Sequence, residues 1–142
     1  MTAPLPIAAI VGAERPTGAV LDLWKFDASR FRINHIKTPD TALPWCHNHP
    51  WEFCWGLILN GGYTHEYFDV ADKQAGPLHT ATYRPGDVNF MLHSRYHRIL
   101  ELEPDTYTLF FWGPDVPRKR LEYWRDGVSV PWSELSAATS NR

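Results

Sequence analysis

The sequence has little cysteine and no long apolar run, and each deficit excludes a class of protein. Its two cysteines, Cys46 and Cys54, are too few for a disulfide scaffold and lack the second pair of a zinc ribbon. No apolar stretch approaches the roughly 18–20 residues that cross a bilayer. Residues 1–12 contain no lysine or arginine and are interrupted by Pro4 and Pro6, which is unlike a signal peptide. We therefore expect a cytoplasmic protein with no membrane partner.

Basic charge and the motifs of several enzyme classes are also scarce. The 14 basic and 16 acidic residues give a net charge of −2, which excludes strong sequence-independent binding to nucleic acid. There is no P-loop and no Gly-x-Gly-x-x-Gly fingerprint, so a nucleotide cofactor is not expected. A Gly-x-Ser-x-Gly elbow is missing as well, which disfavours a nucleophilic hydrolase.

What is present is a pattern of short strands. The 142 residues suit one domain, which we place at 1–142 with a barrel core at about 20–125 and loose ends at 1–15 and 137–142. Short apolar or alternating runs, separated by Gly, Pro, Asp and Asn, predict an all-β sandwich or barrel. The predicted strands are 20–26, 30–37, 52–60, 62–69, 78–83, 87–92, 97–102, 106–112 and 121–125.

Two turns are explicit in the sequence. Asn-Gly-Gly at 60–62 predicts a tight hairpin, because Asn-Gly tolerates positive φ at both of its positions. Arg-Pro-Gly-Asp at 84–87 suits a type II turn, with proline at the second position and glycine at the third. Residues 70–77 predict a loop, and residues 131–136 predict a final turn of helix.

Two histidines in one aromatic segment are the strongest functional feature. His47 and His49 would lie on the same face of a strand, about 6.5–7 Å apart at Cα, and could converge on one metal ion. Trp45 and Trp51 flank the pair, so we expect it to be buried or to line a pocket, where imidazoles need partners. His97, which begins a later strand, is the third candidate ligand.

The order of these residues resembles the two motifs of the cupin superfamily. Those motifs are His-x-His, three or four residues, Glu, six residues, Gly; and then Gly, several residues, Pro-x-Gly, two residues, His. Here His47 and His49, then Gly61, the Gly-Asp at 86–87 and His97 match in order. The resemblance implies an all-β cupin-type double-stranded β-helix, a jelly-roll barrel that holds a divalent metal. Over residues 30–135 the chain looks like small single-domain bacterial and phage cupins, which leaves the reaction open.

The fourth metal ligand departs from the family pattern. Counted back from Gly61, the glutamate position holds Cys54, and the nearest carboxylate is Glu52. The Pro-x-Gly of the second motif reads Leu-His-Ser at 92–94. The fourth ligand is therefore Glu52, Cys54 or water, or the site has three histidines alone.

The ligand types bear on the metal. Three imidazoles with a carboxylate favour Fe(II) or Mn(II), whereas a Cys54 thiolate would favour zinc, and Ni is also compatible. Three protein ligands leave open positions, as in catalytic sites. We expect a divalent transition metal, with Fe(II) favoured.

Other side chains are candidates for the pocket or its surroundings. His35 lies on a strand that could pass beside the site, and His93 lies four residues before His97. Each could contribute to the pocket or have a purely structural role. Trp51 and Tyr63 are expected to be core or pocket wall. One of the adjacent His65 and Glu66 must face outward; we expect an exposed charge at Glu66, with an inward Glu66 as the alternative.

The sequence supports two functions. The first is a mononuclear metal-dependent enzyme, a dioxygenase or an isomerase or lyase, acting on a small molecule. The second is a non-catalytic binding or sensing domain. Cys54 suggests a thiol dioxygenase as a special case. Because the apolar run 20–26 could form an exposed edge strand, we also expect a homodimer.

Overall fold

The structure, a computed structural model, describes residues 20–25, 30–117 and 121–134, so the expected loose ends lie outside it. Eleven β-strands occupy these ranges, and the predicted all-β architecture is confirmed. None of the helices in the described ranges has the length and apolarity to cross a membrane. The strands are β1 (Val20–Lys25), β2 (Phe31–Ile36), β3 (Phe53–Asn60), β4 (Tyr63–Ala71), β5 (Gln74–Ala75), β6 (His79–Tyr83), β7 (Val88–Leu92), β8 (Arg95–Leu102), β9 (Thr106–Trp112), β10 (Glu122–Arg125) and β11 (Val128–Pro131).

The strands form two antiparallel sheets. The first has five strands in the order β1-β2-β9-β3-β7, so β1 lies at an edge, as expected for residues 20–26 (Phe26 lies outside the described residues). In the second, β4 pairs with β5, β6 and β8. A bridge from His47 to both His97 and Tyr123 links β8 to the hairpin of β10 and β11. The segment that contains His47 is thereby built into the second sheet.

The structure corrects two predictions of local secondary structure. The predicted loop at 70–77 contains the end of β4, a turn at Asp72 and Lys73 with φ of 52° and 61°, and β5. The predicted helical turn at 131–136 begins one residue late, since Pro131 ends β11 and residues 132–134 are helical. Residues 135–136 lie outside the described part of the chain.

The tight turn at 60–62 forms with a shift of one residue. Asn60 ends β3, and positive φ falls on Gly61 at 72° and Gly62 at 143°. A Cβ at Gly61 would collide with the Oγ1 atom of Thr106, so glycine is required there for close packing as well as for φ.

Side chains from both sheets meet in the interior. Ile36 and Ile58 of the first sheet pack with Tyr63 and Ile99 of the second in one buried cluster. A second cluster, around Trp51 and including Cys54 and Met91, lies against Phe110 and Trp112. The apolar core therefore lies between the two sheets.

Candidate metal centre

Backbone hydrogen bonds hold the His-x-His segment between two strands. The segment is irregular rather than the strand that was expected, apart from the bridge at His47. The His47 N–H donates to the His97 carbonyl at 2.9 Å, and the His97 N–H donates back at 2.8 Å. The Asn48 N–H donates to the Glu122 carbonyl at 2.9 Å, while Asn48 Oδ1 accepts the Glu122 N–H at 2.8 Å. These hydrogen bonds to β8 and β10 bring His47 and His49 close to His97.

The three predicted histidines converge. Ligand atoms of His47, His49 and His97 all lie within 4.8 Å of one another, and the Nε2 atoms of His49 and His97 are 3.0 Å apart. Ring centroids are 4.8 Å apart for His47 and His97 and 5.1 Å for His49 and His97. Three imidazoles from two segments almost fifty residues apart thus share one point inside the barrel.

This geometry fits a metal ion. With metal–nitrogen bonds of about 2.1 Å, two nitrogen ligands at 90° are about 3.0 Å apart, and tetrahedral ones about 3.4 Å. The 3.0 Å between the His49 and His97 nitrogens matches the 90° pair. Without an ion, one of these two facing nitrogens must carry a proton to make the contact favourable.

The protonation state of the histidines also suits metal binding. Burial lowers the pKa of His47, and it holds the pKa values of His49 and His97 well below the usual range. For His49 and His97, the charges of neighbouring histidines lower the pKa further. Since only a neutral imidazole binds a metal, the group is ready to do so near neutral pH.

His65 makes an additional contact with the group that the sequence did not indicate. Its side chain is fully buried on β4, and its Nδ1 atom lies 3.1 Å from Nδ1 of His97. His97 thus has one ring nitrogen toward His49 and the other toward His65. Metal-binding histidines characteristically use their second nitrogen in such a hydrogen bond, which fixes the ring orientation.

The structure does not bring the two candidates for a fourth ligand into this group. Among the described residues, the metal-binding cluster consists of His47, His49 and His97. The side chain of Glu52 is exposed just before β3. Cys54 is buried, but it packs with Trp51 and other apolar side chains, and burial raises its pKa to about 12. A thiol in that environment stays protonated.

Of the four pocket candidates, three contact the site or line its cavity. Trp51 stacks on His49 with ring centroids 5.7 Å apart, and Tyr63 lines the cavity. His93 contacts the backbone of the site, with its Nδ1 atom 2.7 Å from the His49 carbonyl oxygen. His35 instead stacks on Tyr107 with ring centroids 4.4 Å apart, and it is absent from the cavity lining among the described residues.

Glu66 departs from the expectation of exposed charge. Its side chain is only 16% exposed and accepts from Arg98, with Oε1 2.6 Å from Nη2. The ion pair uses the outer face of β4 and β8, while His65 points inward.

A cavity of about 230 Å³, partly open to solvent, adjoins the histidines. Its polar lining residues include Arg32, Asn34 and Asp40, which the sequence did not indicate. The alternation of Arg32, Asn34 and Ile36 along β2 is the signal that could have found the first two, because residues two apart share a face. The site is therefore a group of three histidines that could hold a metal ion, at the wall of a cavity.

No protein-family model and no curated protein sequence match the chain. Solved structures do match. Oxalate decarboxylase from Lactobacillus farciminis, in a formate complex, has a TM-score of 0.54 and 16% identity over 93% of the chain and 36% of its own length. The E162A mutant of the Bacillus subtilis enzyme has a TM-score of 0.53 and 17% identity over 99% and 38%. The chain thus spans little more than a third of these enzymes.

A different kind of protein shares the fold. Drosophila melanogaster CENP-C, in a complex with CAL1, has a TM-score of 0.50 and 8% identity over 75% of the chain and 88% of its own length. At such identities the likeness concerns architecture alone. With its two antiparallel sheets and its oxalate decarboxylase neighbours, the chain has the cupin-type jelly-roll fold that its motifs predict.

Proposed function

We propose that the chain is a metal-dependent enzyme, of the oxygenase or the isomerase or lyase type, that acts on a small molecule inside the barrel. The observation that carries the proposal is the convergence of the His47, His49 and His97 imidazoles beside a cavity of about 230 Å³. Three protein ligands leave positions open for a substrate, unlike the four of a closed structural site.

The chain's own residues prepare the site for chemistry. An ion held by the three histidines would supply Lewis-acid or oxygen chemistry at its open positions. Trp51, stacked on His49, holds that ring in place and shields it from water. The Tyr63 hydroxyl accepts a hydrogen bond from Asn89 Nδ2 at 2.8 Å, so it is fixed in the cavity with its own proton available for donation.

The proposed metal is divalent, with Fe(II) first and Mn, Ni or Zn as alternatives. The case for zinc from a thiolate ligand is weakened, because Cys54 is protonated and lies outside the histidine group. Manganese gains support from a neighbour in fold, since Bacillus subtilis oxalate decarboxylase has Mn(II) centres. Neutral imidazole ligands are compatible with each of these ions.

Metal analysis tests the first half of the proposal. Protein purified without a histidine tag is expected to contain or to bind about one equivalent of a transition metal. The His97→Ala variant should bind less than about 0.1 equivalents, because it loses the ring whose two nitrogens contact His49 and His65. His79→Ala is the matched control, since His79 is exposed on β6 and should leave the metal content unchanged. Wild-type protein that takes up no metal on titration would refute the proposal.

Turnover tests the second half. The iron-loaded protein is expected to consume oxygen with a catechol-like or thiol substrate, or to isomerise or cleave an enolisable carbonyl compound without oxygen. Metal binding without turnover of any of these would favour a non-catalytic binding or sensing domain. The similar fold of CENP-C, which was observed bound to CAL1, supports that alternative.

We also propose that the chain forms a homodimer. Both edge strands of the first sheet, β1 and β7, are unpaired on one side among the described strands. The edge strand β7 exposes three apolar side chains, Val88 by 49%, Phe90 by 51% and Leu92 by 55%. Together they form an apolar edge that a second copy could cover.

A further inference from the structure

Gly56 leaves a gap in the inner face of the five-stranded sheet. The inward positions along β3 hold Cys54, Gly56 and Ile58, and all three residues are buried. Gly56 pairs with Phe110 of β9 on one side and with Asn89 of β7 on the other, and these three residues line the cavity beside the histidines. The cavity therefore reaches the backbone of β3 between the side chains of Phe110 and Asn89.

Neither of the usual structural reasons for a glycine applies at this position. Gly56 does not have a positive φ, so the backbone conformation does not require it. An added Cβ would lie 3.8 Å from Phe110 Cδ2 and 3.9 Å from Thr108 Cβ, which are ordinary van der Waals contacts, so close packing does not require it either. A glycine inside a strand is less favourable than alanine, and it often occurs where a ligand approaches the backbone. The gap over Gly56 therefore indicates a place for a bound molecule.

A buried hydrogen-bond acceptor lies beside this gap. Asn89 is 1% exposed, and its Oδ1 atom has no hydrogen-bond partner among the residues that the structure describes. Its Nδ2 atom is already used, because it donates to the Tyr63 hydroxyl oxygen at 2.8 Å. A buried acceptor without a partner costs free energy, so its position becomes favourable when a donor reaches it from the cavity.

The Tyr63 hydroxyl adds a donor at the same place. Its oxygen accepts from Asn89, which leaves its own proton for another acceptor. Burial raises the pKa of Tyr63, so the hydroxyl keeps that proton at neutral pH. The cavity wall thus contains one acceptor and one donor on two side chains that hold each other in position. A single neutral hydroxyl group satisfies both, since it donates one hydrogen bond and accepts another.

Apolar contacts determine where the rest of such a molecule lies. Beyond Gly56 the row across the sheet continues to Phe110, whose ring centroid is 6.2 Å from that of His49 and 5.6 Å from that of Trp51. Neighbouring strands are about 4.8 Å apart, so Asn89 and Phe110, two strands from each other, are separated by about 10 Å. A small molecule held at Asn89 therefore extends over Gly56 to Phe110, on the side of the histidine group.

We propose that Asn89, Tyr63 and Gly56 form a subsite for the neutral hydroxyl group of a small, mainly apolar alcohol. The Tyr63 O–H donates to the hydroxyl oxygen, the hydroxyl donates to Asn89 Oδ1, and the carbon frame lies over Gly56. The inference specifies the substrate class of the proposed enzyme, and for the reaction it rests on that proposed function. The binding itself depends only on the three subsite residues.

Two probes of nearly the same shape test the subsite by ¹⁹F NMR titration of metal-free protein. 4-Fluorobenzyl alcohol and 1-ethyl-4-fluorobenzene are both uncharged, and they differ only in a hydroxyl that takes the place of a methyl group. In wild-type protein the alcohol is expected to bind at least about tenfold more tightly, although it is the less hydrophobic probe. The reason is that a site built for a hydroxyl rejects an analogue that leaves its buried polar groups unpaired.

Single substitutions assign the preference to the two polar side chains. Asn89→Leu and Tyr63→Phe each remove one of the two hydrogen bonds, and each should reduce the advantage of the alcohol to less than about threefold. Tyr107→Phe is the matched control and should leave both affinities unchanged. Tyr107 stacks on His35, and it is absent from the cavity lining in the part of the chain that the structure describes.

Gly56→Ala tests the gap itself. The added methyl group fits the fold at ordinary contact distances, so the melting temperature should not fall. It takes space from a molecule that lies over β3, so both probes should bind at least about fivefold more weakly. Because this variant keeps both polar side chains, it protects the test against an Asn89 or Tyr63 variant that fails to fold.

The metal-free titrations also separate this inference from the proposed function. Equal affinities of wild-type protein for the two probes, no detectable binding of either, or a Gly56→Ala variant that binds both as well as wild type would overturn the inference. An Asn89-dependent preference for the alcohol, in a protein that takes up no metal on titration, would retain the subsite and refute the metal-dependent enzyme. Metal uptake with equal binding of the two probes would do the reverse.

Discussion

The two faces of the five-stranded sheet differ, because the inner face carries buried polar side chains among its apolar ones and the outer face carries a row of aromatic rings. Arg32 and Asn34 of β2 and Asn89 of β7 point into the barrel, and all three are buried. On the outside, Phe31, Phe111 and Trp55 stack in a row, with centroid distances of 5.3 Å and 4.1 Å. An ordinary half-buried sheet keeps its polar side chains on the outer face.

The difference indicates that the interior serves binding more than stability. Buried polar groups cost free energy unless they are paired, and Asn89 Oδ1 has no hydrogen-bond partner among the described residues. The exposed apolar side chains of β7 on the outer face are, by contrast, what an interaction surface supplies. On this interpretation, changes to the inner face should alter the site, and changes to the outer face should alter association.

Acid should destabilise the inner face more than any single substitution does. Burial lowers the pKa of His65 to about 4, and it also lowers the pKa values of His47, His49 and His97. Unfolded histidines titrate near 6.5, so below that pH the unfolded state binds more protons and stability is lost down to about pH 4. For His65 alone the loss at pH 5 is about 2 kcal/mol. Urea unfolding of metal-free protein at pH 7.5 and 5.0 measures the total, which should exceed this value.

A matched pair identifies the source of that loss. His65→Asn removes a buried titrating group and should reduce the difference between the two pH values by about 2 kcal/mol. His79→Ala, at an exposed histidine, should leave the difference unchanged. Equal free energies of unfolding at both pH values would show that the interior histidines do not titrate abnormally.

His65 should also affect the metal. When Nε2 of His97 binds an ion, its Nδ1 carries the proton and donates to His65 Nδ1, which is 3.1 Å away. His65→Leu removes that acceptor and should weaken metal binding by about 10–100-fold, as other changes to such partners do. His65→Asn keeps a polar side chain and should retain part of the affinity. Competition with a chelating dye gives the affinities.

A spectroscopic measurement separates orientation from a general loss of structure. In zinc-loaded wild-type protein, ¹⁵N NMR should show His97 protonated at Nδ1. The His65→Leu variant should show a shifted or exchanging Nδ1–H signal. An unchanged affinity and an unchanged His97 spectrum would together leave His65 with no influence on the metal.

The sequence predicted much of this site because the motif spacing identifies residues that only the fold brings together. His47, His49 and His97 are far apart along the chain, and their convergence was expected from the cupin resemblance. Short alternating runs were enough for most strands. The turns at Asp72–Lys73 and Asp126–Gly127 were not predicted. The φ values of 52° and 81° at Asp126 and Gly127 are typical of a two-residue hairpin turn.

His65 could not be predicted, for a definite reason. Alternation alone leaves open whether His65 or Glu66 faces inward, since a slip of one residue exchanges the two faces. The pairing of β4 with β8 shifts register between Thr64 and His65, so counting along the strand does not settle the orientation. The alternation along β2 places Arg32 on one face with Asn34 and Ile36, but only tertiary packing determines that this face is the inner one.

On the outer face, a charge should abolish association and leave the fold intact. Phe90 is 51% exposed on the edge strand β7, across from Trp55 in β3. Phe90→Lys should convert the expected dimer to a monomer at micromolar concentration, and the monomer's free energy of unfolding should change by less than about 0.5 kcal/mol. Light scattering and urea unfolding measure the two effects. Phe90→Tyr keeps an aromatic ring and is the control that should remain dimeric.

A wild-type monomer at micromolar concentration would contradict the dimer itself. A Phe90→Lys variant that remains dimeric would place the interface elsewhere, with β1 at the opposite edge as the next position to test. Either result would break the assignment of the exposed β7 side chains to association, without affecting the inner face.

The smallest effect on the metal is expected from the two residues that the motif suggested as a fourth ligand. Glu52→Gln and Cys54→Ala should each retain about one equivalent of metal, since Glu52 is exposed and Cys54 packs with Trp51 and Met91. Because burial raises the pKa of Cys54 to about 12, its thiol should also resist alkylation at pH 8 in the native protein. Loss of metal in Cys54→Ala, with the fold retained by circular dichroism, would return Cys54 to the ligand set. It would also place a charged sulfur among the apolar side chains around Trp51, which are the least polar part of the inner face.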